Sequence, residues 1–351
     1  MTLSNIFFGK KVVQQAYLNN ALIYQSKGWE TLPSTCSEVW TKELGIVNTD
    51  TVNQCLTDSN NNIYVLTHYK IFKLNSEGTL IWSKTIADIQ RIAIDTNNDV
   101  YIALADTDYS YISKLDNNGN IENKFKLDEY LCNVITNFIV DGNYFYLSGN
   151  YNNDTNRWSY EIDKQGKLIK RIDLNLDRST LVANDSFLYA GLGNQLIKID
   201  KSNISNYTTV CTTPSSYTVG NVFLDGLGNA IVTDIYGAVY KYNFENKVST
   251  EYSRRIVDSN PTIALDYQKN LYFISDESNG AGNILGLIKY SSDGTLIFDT
   301  QILTNQNKSM FHGKLDVDNN GNIYYLYNKY NSDLNYSLIV KKLINIEEKG
   351  N

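Results

Sequence analysis

This sequence predicts an all-β fold built from seven copies of one unit. Short runs of alternating apolar and polar residues fill most of the chain, separated by turns rich in Asn, Asp and Gly, a pattern typical of half-buried β-strands. An apolar triplet, often with Tyr at its centre, returns seven times at about 37 to 52 residues, the period of four-stranded repeat units. Tyr is abundant at 27 residues and Pro is rare at 3, which favours pleated sheets.

Residues 58–86 show the repeat in its most regular form. Three apolar runs, at 63–66, 71–74 and 80–86, are separated by Asn-rich and Gly-containing turns, as expected for strands joined by hairpins. Each later copy keeps the same order: the triplet strand, a strand ending in Leu, Ile or Tyr, a turn, and an outer strand. The seven triplets begin at Ile63, Val100, Phe145, Leu188, Ala230, Leu271 and Ile323.

The end of the repeat array predicts how the fold closes. Six outer strands follow their triplets, but the seventh unit stops after residues 337–344 without one. Residues 38–44, EVWTKEL, precede the first unit and match the outer strand LIWSKTI in character. Pairing them with the last unit removes an open sheet edge. We therefore predict a seven-bladed β-propeller with four-stranded blades, closed by an N-terminal outer strand in the last blade, plus a short N-terminal β-hairpin module.

The predicted domains follow from this division. Residues 1–28 form two small hairpins, which cannot bury enough surface to stand alone. Residues 29–37, with Pro33, are a linker, and residues 38–351 are the propeller.

Composition excludes some partners. The net charge of −7 and the absence of any basic run longer than a pair argue against nucleic acid and anionic membranes. The N-terminus lacks the apolar segment of a signal peptide, and no apolar run reaches the roughly 20 residues of a membrane span. We expect no signal peptide and no membrane association.

Two resemblances suggest a role. The IYVL…IFKLNSEGTLIWSKTI pattern resembles bacterial seven-bladed propeller repeats, a group that includes sensors, scaffolds, adhesins and a few lyases. Residues 6–25 are similar to N-terminal attachment modules on tail, baseplate and fibre proteins of phages that infect Gram-positive bacteria. That second resemblance implies docking on other phage tail or baseplate proteins through the module's apolar residues: Phe7, Phe8, Val13, Tyr17, Leu22 and Tyr24.

The long loops between the second and third strands are rich in Asp, Asn, Ser and Tyr. Aromatic rings beside amides and carboxylates suit saccharides, which stack on the ring and hydrogen-bond through their hydroxyls. We predict a site for a host cell-wall polymer, formed by Tyr109, Tyr151, Asp154, Trp158, Asp234, Tyr236 and Tyr330.

The sequence offers little for a metal or a cofactor. The run from Asp316 to Gly321 matches the first half of a calcium loop, but its twelfth position is Tyr327 instead of Glu. The only histidines, His68 and His312, come without a third ligand. We expect turn residues and ordinary histidines here, with no metal, no cofactor and no catalytic residues.

The leading hypothesis is therefore a non-enzymatic protein of the phage tail or baseplate that recognises the glycan of the host cell wall. It would be made in the host cytoplasm and located in the virion. It is a possible homo-oligomer, since several copies would add avidity. One alternative is a structural hub or spacer in the tail. The other is a polysaccharide- or lactone-cleaving propeller enzyme, which predicts carboxylates or histidines converging in the central channel.

Overall fold

The computed structural model describes residues 7–8, 11–12, 15–18, 21–25, 36–48, 52–106, 109–127, 134–150, 158–172, 174, 180–214, 217–234, 238–247, 249–253, 262–278, 283–305, 311–330 and 335–345. Within those ranges every regular element is a β-strand. The described residues contain no helix with the length and apolarity to cross a bilayer.

The N-terminal strands form two small antiparallel hairpins. The strands are β1 (Phe7–Phe8), β2 (Lys11–Val12), β3 (Gln15–Leu18) and β4 (Ala21–Gln25). In the second hairpin, Leu18 pairs with Ala21. Next along the chain is the long strand β5 (Cys36–Asn48).

Six blades follow in chain order, each a four-stranded antiparallel sheet whose strands are neighbours in sequence. Blade 1 is β6 (Val52–Thr57), β7 (Ile63–Thr67), β8 (Lys70–Leu74) and β9 (Leu80–Thr85); blade 2 is β10 (Ile89–Ile94), β11 (Val100–Ala105), β12 (Ser110–Leu115) and β13 (Ile121–Lys126); blade 3 is β14 (Val134–Asp141), β15 (Tyr144–Asn150), β16 (Trp158–Asp163) and β17 (Leu168–Ile172). Blade 4 is β18 (Val182–Ala183), β19 (Phe187–Leu192), β20 (Gln195–Asp200) and β21 (Asn203–Thr212); blade 5 is β22 (Val219–Leu224), β23 (Asn229–Asp234), β24 (Val239–Asn243) and β25 (Ser249–Ser253); blade 6 is β26 (Ile263–Leu265), β27 (Leu271–Ser278), β28 (Asn283–Tyr290) and β29 (Leu296–Asn305).

Blade 7 joins the two ends of the propeller. It contains β30 (Phe311–Val317), β31 (Ile323–Tyr330) and β32 (Asn335–Asn345), and its fourth strand is β5. The pairing runs from Asn345 opposite Cys36 to Asn335 opposite Asn48, so the closing strand is longer than the predicted 38–44. The predicted seven-bladed propeller with a shared last blade is confirmed.

The triplet strands form the core between blades. Strand β7 is buried at every position, and the rings of Tyr64, Tyr146, Tyr272 and Tyr324 are almost fully buried. The hydroxyl of Tyr324 donates to Asp318 at 2.8 Å. The same carboxylate accepts the backbone N–H groups of Asn320 and Asn322, each at 2.9 Å. The run that resembles half of a calcium loop is therefore a hydrogen-bonded turn, as the sequence predicts. Asp58 and Asp266 form the same turn in blades 1 and 6.

In several blades, an aromatic side chain of the outer strand packs against the next blade. The Trp82 ring of blade 1 lies on Gly119 of blade 2, and its Nε1 donates to the carbonyl of Asn117 at 2.9 Å. Trp40, from the closing strand of blade 7, contacts Gly78 of blade 1 in the same way. The ring of blades is thus closed both by strand pairing and by this side-chain contact.

Candidate active site in the central channel

The innermost strands of the seven blades carry a polar side chain at one equivalent position. In each blade this position lies opposite the residue that follows the apolar triplet, as in the pairs Gln54–Leu66, Arg91–Ala103 and Lys314–Leu326. Asn137 pairs with Ser148 in the same way, and the registers of blades 4, 5 and 6 continue to Thr180, Asn221 and Thr262. The seven positions, here called the polar ring, are Gln54, Arg91, Asn137, Thr180, Asn221, Thr262 and Lys314.

Several members of the polar ring join their inner strand to the next one. Gln54 accepts the N–H of Ile92 at 2.8 Å and donates to its carbonyl at 3.3 Å. Asn137 donates to the carbonyl of Leu181 at 3.1 Å, and Thr262 to that of Gly313 at 3.1 Å. Because the inner strands surround the propeller axis, these side chains form part of the wall of the central channel.

Two members of the polar ring are cations, and they flank Gln54 of blade 1. Arg91 of blade 2 donates through Nε to the carbonyl of Thr136 at 3.0 Å and through Nη1 to that of Gln90 at 2.6 Å. Burial lowers the pKa of the Arg91 guanidinium to about 10. Burial also lowers the pKa of the Lys314 amine of blade 7, and the positive charge of Arg91 lowers it further. A larger fraction of Lys314 is therefore neutral, and able to accept a proton, than of an exposed lysine.

A carboxyl group lies two residues from Lys314 on the same face of β30. Asp316 accepts the N–H of Thr57 at 2.6 Å and its hydroxyl at 2.9 Å, which links blade 7 to blade 1. Burial raises the pKa of the Asp316 carboxyl to about 6, against the lowering effect of the Thr57 hydrogen bonds. In the other six blades the residue at this register is apolar: Leu56, Ala93, Ile139, Val182, Phe223 and Ala264.

A small polar cavity opens where the turns of blades 7, 1 and 2 meet. Its volume is about 220 Å³. It is lined by Thr57 and Ser59 of blade 1, Asp95 and Asn98 of blade 2, and Asn319 of blade 7. Through Thr57 it adjoins Asp316, so the cavity and the charged part of the polar ring lie in the same sector of the propeller.

Three of the predicted glycan residues have described side chains. Tyr109 is exposed beside Tyr111 with Lys126 over its ring, and Trp158 lies under Arg171. Asp234 is buried and accepts the N–H of Ala238. These three residues belong to blades 2, 3 and 5, whereas Arg91 and Lys314 belong to blades 2 and 7.

Other predicted residues are described only in part. Tyr330 lies in β31, but its side chain is outside the described residues, as are Tyr151, Asp154 and Tyr236. Of the attachment residues, Phe7 and Phe8 lie in β1, Tyr17 in β3, and Leu22 and Tyr24 in β4, whereas Val13 falls outside. The glycan site and the attachment module stay predictions.

Of the two histidines, only His68 has a described side chain. His68 is exposed and contacts the Tyr69 ring edge to face at 4.8 Å. His312 belongs to β30, with its side chain outside the described residues. The described residues contain no group of three or more His, Cys, Asp or Glu side chains arranged to hold a metal ion.

Arg91, Lys314 and Asp316 are absent from the predicted site residues because they lie in inner strands, outside the loops and short motifs that the prediction used. The signal was present in the repeat. When the seven inner strands are aligned on their triplets, these three are the charged residues at two positions that are otherwise neutral or apolar.

Comparison with known proteins finds likeness in structure only. No family model matches the chain, and no curated protein matches it. Among solved structures, the chain resembles a streptogramin B lyase with a TM-score of 0.62 and 13% identity, covering 87% of this chain and 97% of that one. It also resembles virginiamycin B lyase from Staphylococcus aureus with a TM-score of 0.63 and 13% identity, covering 87% and 99%.

These neighbours correct the predicted function. At this identity the likeness shows the shared propeller fold, and both proteins are lyases by name. The prediction of a non-enzymatic phage tail or baseplate protein is therefore wrong, and the findings favour its enzyme alternative. The expectation of no catalytic activity falls with it. The predicted partners, possible homo-oligomer and virion location stay predictions.

Proposed function

We propose that this protein is a propeller lyase that breaks a carbon–oxygen bond of a lactone or a polysaccharide by elimination. The observation that carries the proposal is the pair of cations in the polar ring, Lys314 and Arg91, on either side of blade 1. The lyase names of the structural neighbours add support.

Lys314 is the proposed base. Its neutral amine takes a proton from the carbon next to a carbonyl or carboxylate group. The electron pair of that C–H bond forms a C=C bond as the bond from the next carbon to oxygen breaks. Burial and the Arg91 charge both lower the Lys314 pKa, which increases the fraction of the amine that is neutral and can act as a base.

Arg91 is the proposed electrostatic partner. During proton removal, negative charge builds up on the carbonyl or carboxylate oxygen of the substrate, and a fixed guanidinium stabilises it. The two backbone hydrogen bonds of Arg91 hold the group in place before the substrate arrives.

The leaving oxygen differs between the two substrate classes. In a lactone, the ester oxygen leaves as part of a carboxylate, which needs no proton. A glycosidic oxygen must be protonated, and the Lys314 ammonium formed in the first step can return the proton. Both reactions therefore balance without a further reactant.

The test is to incubate the purified protein with a panel of lactones and acidic polysaccharides and to examine the products. We expect ultraviolet absorbance from a new conjugated double bond, with no net gain of mass across the products. Products that together gain one water would show hydrolysis and overturn the proposal, as would the absence of reaction across the panel. Lys198→Met, which changes a lysine over the Phe187 ring in blade 4, is a matched control that should keep full activity.

A further inference from the structure

The positive charge in the channel has no partner on the described protein. Among the described residues no carboxylate forms an ion pair with Arg91 or Lys314. The nearby Asp316 carboxylate is instead hydrogen-bonded to Thr57. The chain as a whole carries 38 acidic against 31 basic residues, so general basicity does not explain the pair. Both residues are half-buried, and even partial burial of an unpaired charge is costly, which points to a ligand that supplies the missing anion.

The shape of the Arg91 group indicates which anion. A guanidinium has five N–H donors, and the backbone carbonyls of Thr136 and Gln90 accept from two of its nitrogens. The group is therefore fixed in position with donors to spare. A fixed planar fork matches a planar carboxylate in a two-point contact.

The other members of the polar ring limit where the anion can bind. Asn137, Thr180, Asn221 and Thr262 are neutral and belong to blades 3 to 6. Both cations lie in blades 2 and 7, on either side of Gln54. A ligand carboxylate is thus drawn to one side of the channel, the side that also contains Asp316 and the polar cavity.

We propose that Arg91 binds a carboxylate group of the substrate, attached to the same carbon that loses its proton to Lys314. This rests on the proposed lyase function and narrows its substrate to acids, such as the uronate units of a polysaccharide or a small 3-oxygenated organic acid. Binding to Arg91 neutralises the carboxylate, which makes the adjacent C–H bond more acidic. A neutral lactone offers no permanent anion to the pair.

The test uses isothermal titration calorimetry on Lys314→Met, in which chemistry is slow and the ligand is not consumed. The probes are a galacturonate oligomer, its neutral methyl ester, a 3-hydroxy acid and inorganic phosphate. We expect the oligomer or the hydroxy acid to bind at least 10-fold more tightly than the ester and phosphate, and the better of the two acids identifies the source. Equal binding of oligomer and ester, or tighter binding of phosphate, would overturn the proposal.

Variants of Arg91 separate charge from shape. Arg91→Gln, introduced into Lys314→Met, should weaken carboxylate binding at least 10-fold. Arg91→Lys keeps the charge and loses the fork. In the same Lys314→Met background, its affinity for the carboxylate should lie between the affinities measured with Arg91 and with Arg91→Gln. Because Arg91 also bonds to Thr136, melting curves of each variant check that the blades remain packed. Unchanged binding in a folded Arg91→Gln protein would contradict the assignment.

The outcomes distinguish this inference from the function on which it rests. Carboxylate binding that depends on Arg91, without elimination by the unmodified protein, would support the ligand class and refute the lyase. Elimination on a neutral lactone, with no carboxylate binding, would support the lyase and refute the ligand class.

Discussion

The inner strands of blades 6 and 7 have the same plan and differ in charge at two positions. Blade 6 has Thr262 and Ala264 where blade 7 has Lys314 and Asp316, and both strands end in the same Asp-centred turn. The repeat therefore keeps the residues that make turns and cores. The charged side chains enter through substitutions on the channel side, which leave the blade intact.

The largest expected effect comes from replacing the proposed general base of blade 7 with the residue that blade 6 has at the same position. Lys314→Thr should lower turnover by about 10²- to 10⁴-fold, the usual contribution of a general base. The fold should persist, because Thr262 occupies the equivalent position in a normal blade. Steady-state kinetics and a melting curve check both parts. Turnover within about 3-fold of the original would remove Lys314 from the mechanism.

A substitution at the contact between blades 1 and 2 tests the stability of the scaffold and leaves the proposed site unchanged. Gly119→Ala should destabilise the protein by about 2–4 kcal/mol, because its φ of +78° disfavours a side chain and a Cβ would lie 2.8 Å from the Trp82 ring. Urea unfolding measures the change.

Gly193→Ala is the matched control for that substitution. Its φ is +57°, but a Cβ there would meet no atom within 4 Å. Only the backbone cost of roughly 1–2 kcal/mol is expected. Equal losses in the two variants would show that the contact between blades adds nothing.

The raised pKa of the Asp316 carboxyl makes the stability of the fold depend on pH. Its pKa is raised from 3.8 to about 6 on folding, so the folded state binds the proton more tightly than the unfolded state. This favours folding below pH 4, and the benefit is lost as the pH rises through 6, by up to about 3 kcal/mol. Asp316→Asn keeps an acceptor for Thr57 and should flatten the pH dependence of unfolding between pH 4 and 6. An unchanged slope would contradict the raised pKa.

The smallest expected effect is at the Asp-centred turn that blades 1, 6 and 7 share. Tyr324→Phe removes the hydroxyl that donates to Asp318 at 2.8 Å and should cost about 1 kcal/mol of unfolding free energy. Tyr64→Phe, where the corresponding distance is 3.3 Å, should cost less. A larger loss at Tyr64 would mean that the two turns are not equivalent.

The sequence was sufficient for the fold because each local signal agrees with the others. Alternation, Asp and Gly turns and the spare strand near Trp40 all specify the same closed ring. The site was not predictable in the same way. The repeat shows that Arg91 and Lys314 occupy one repeat position, but the hydrogen bonds that fix Arg91 and the partial burial of both side chains depend on packing between blades, which spacing does not show.

The dependence of turnover on pH tests the role of Lys314 most directly. If its neutral amine is the base, the rate rises with pH and levels off above an ionisation that lies below the ordinary lysine pKa of 10.5. That rise should be absent from the residual activity of Lys314→Thr and present in Lys198→Met. A rate that falls as the pH increases over this range, or a rising limb that survives in Lys314→Thr, would contradict a lyase mechanism centred on Lys314.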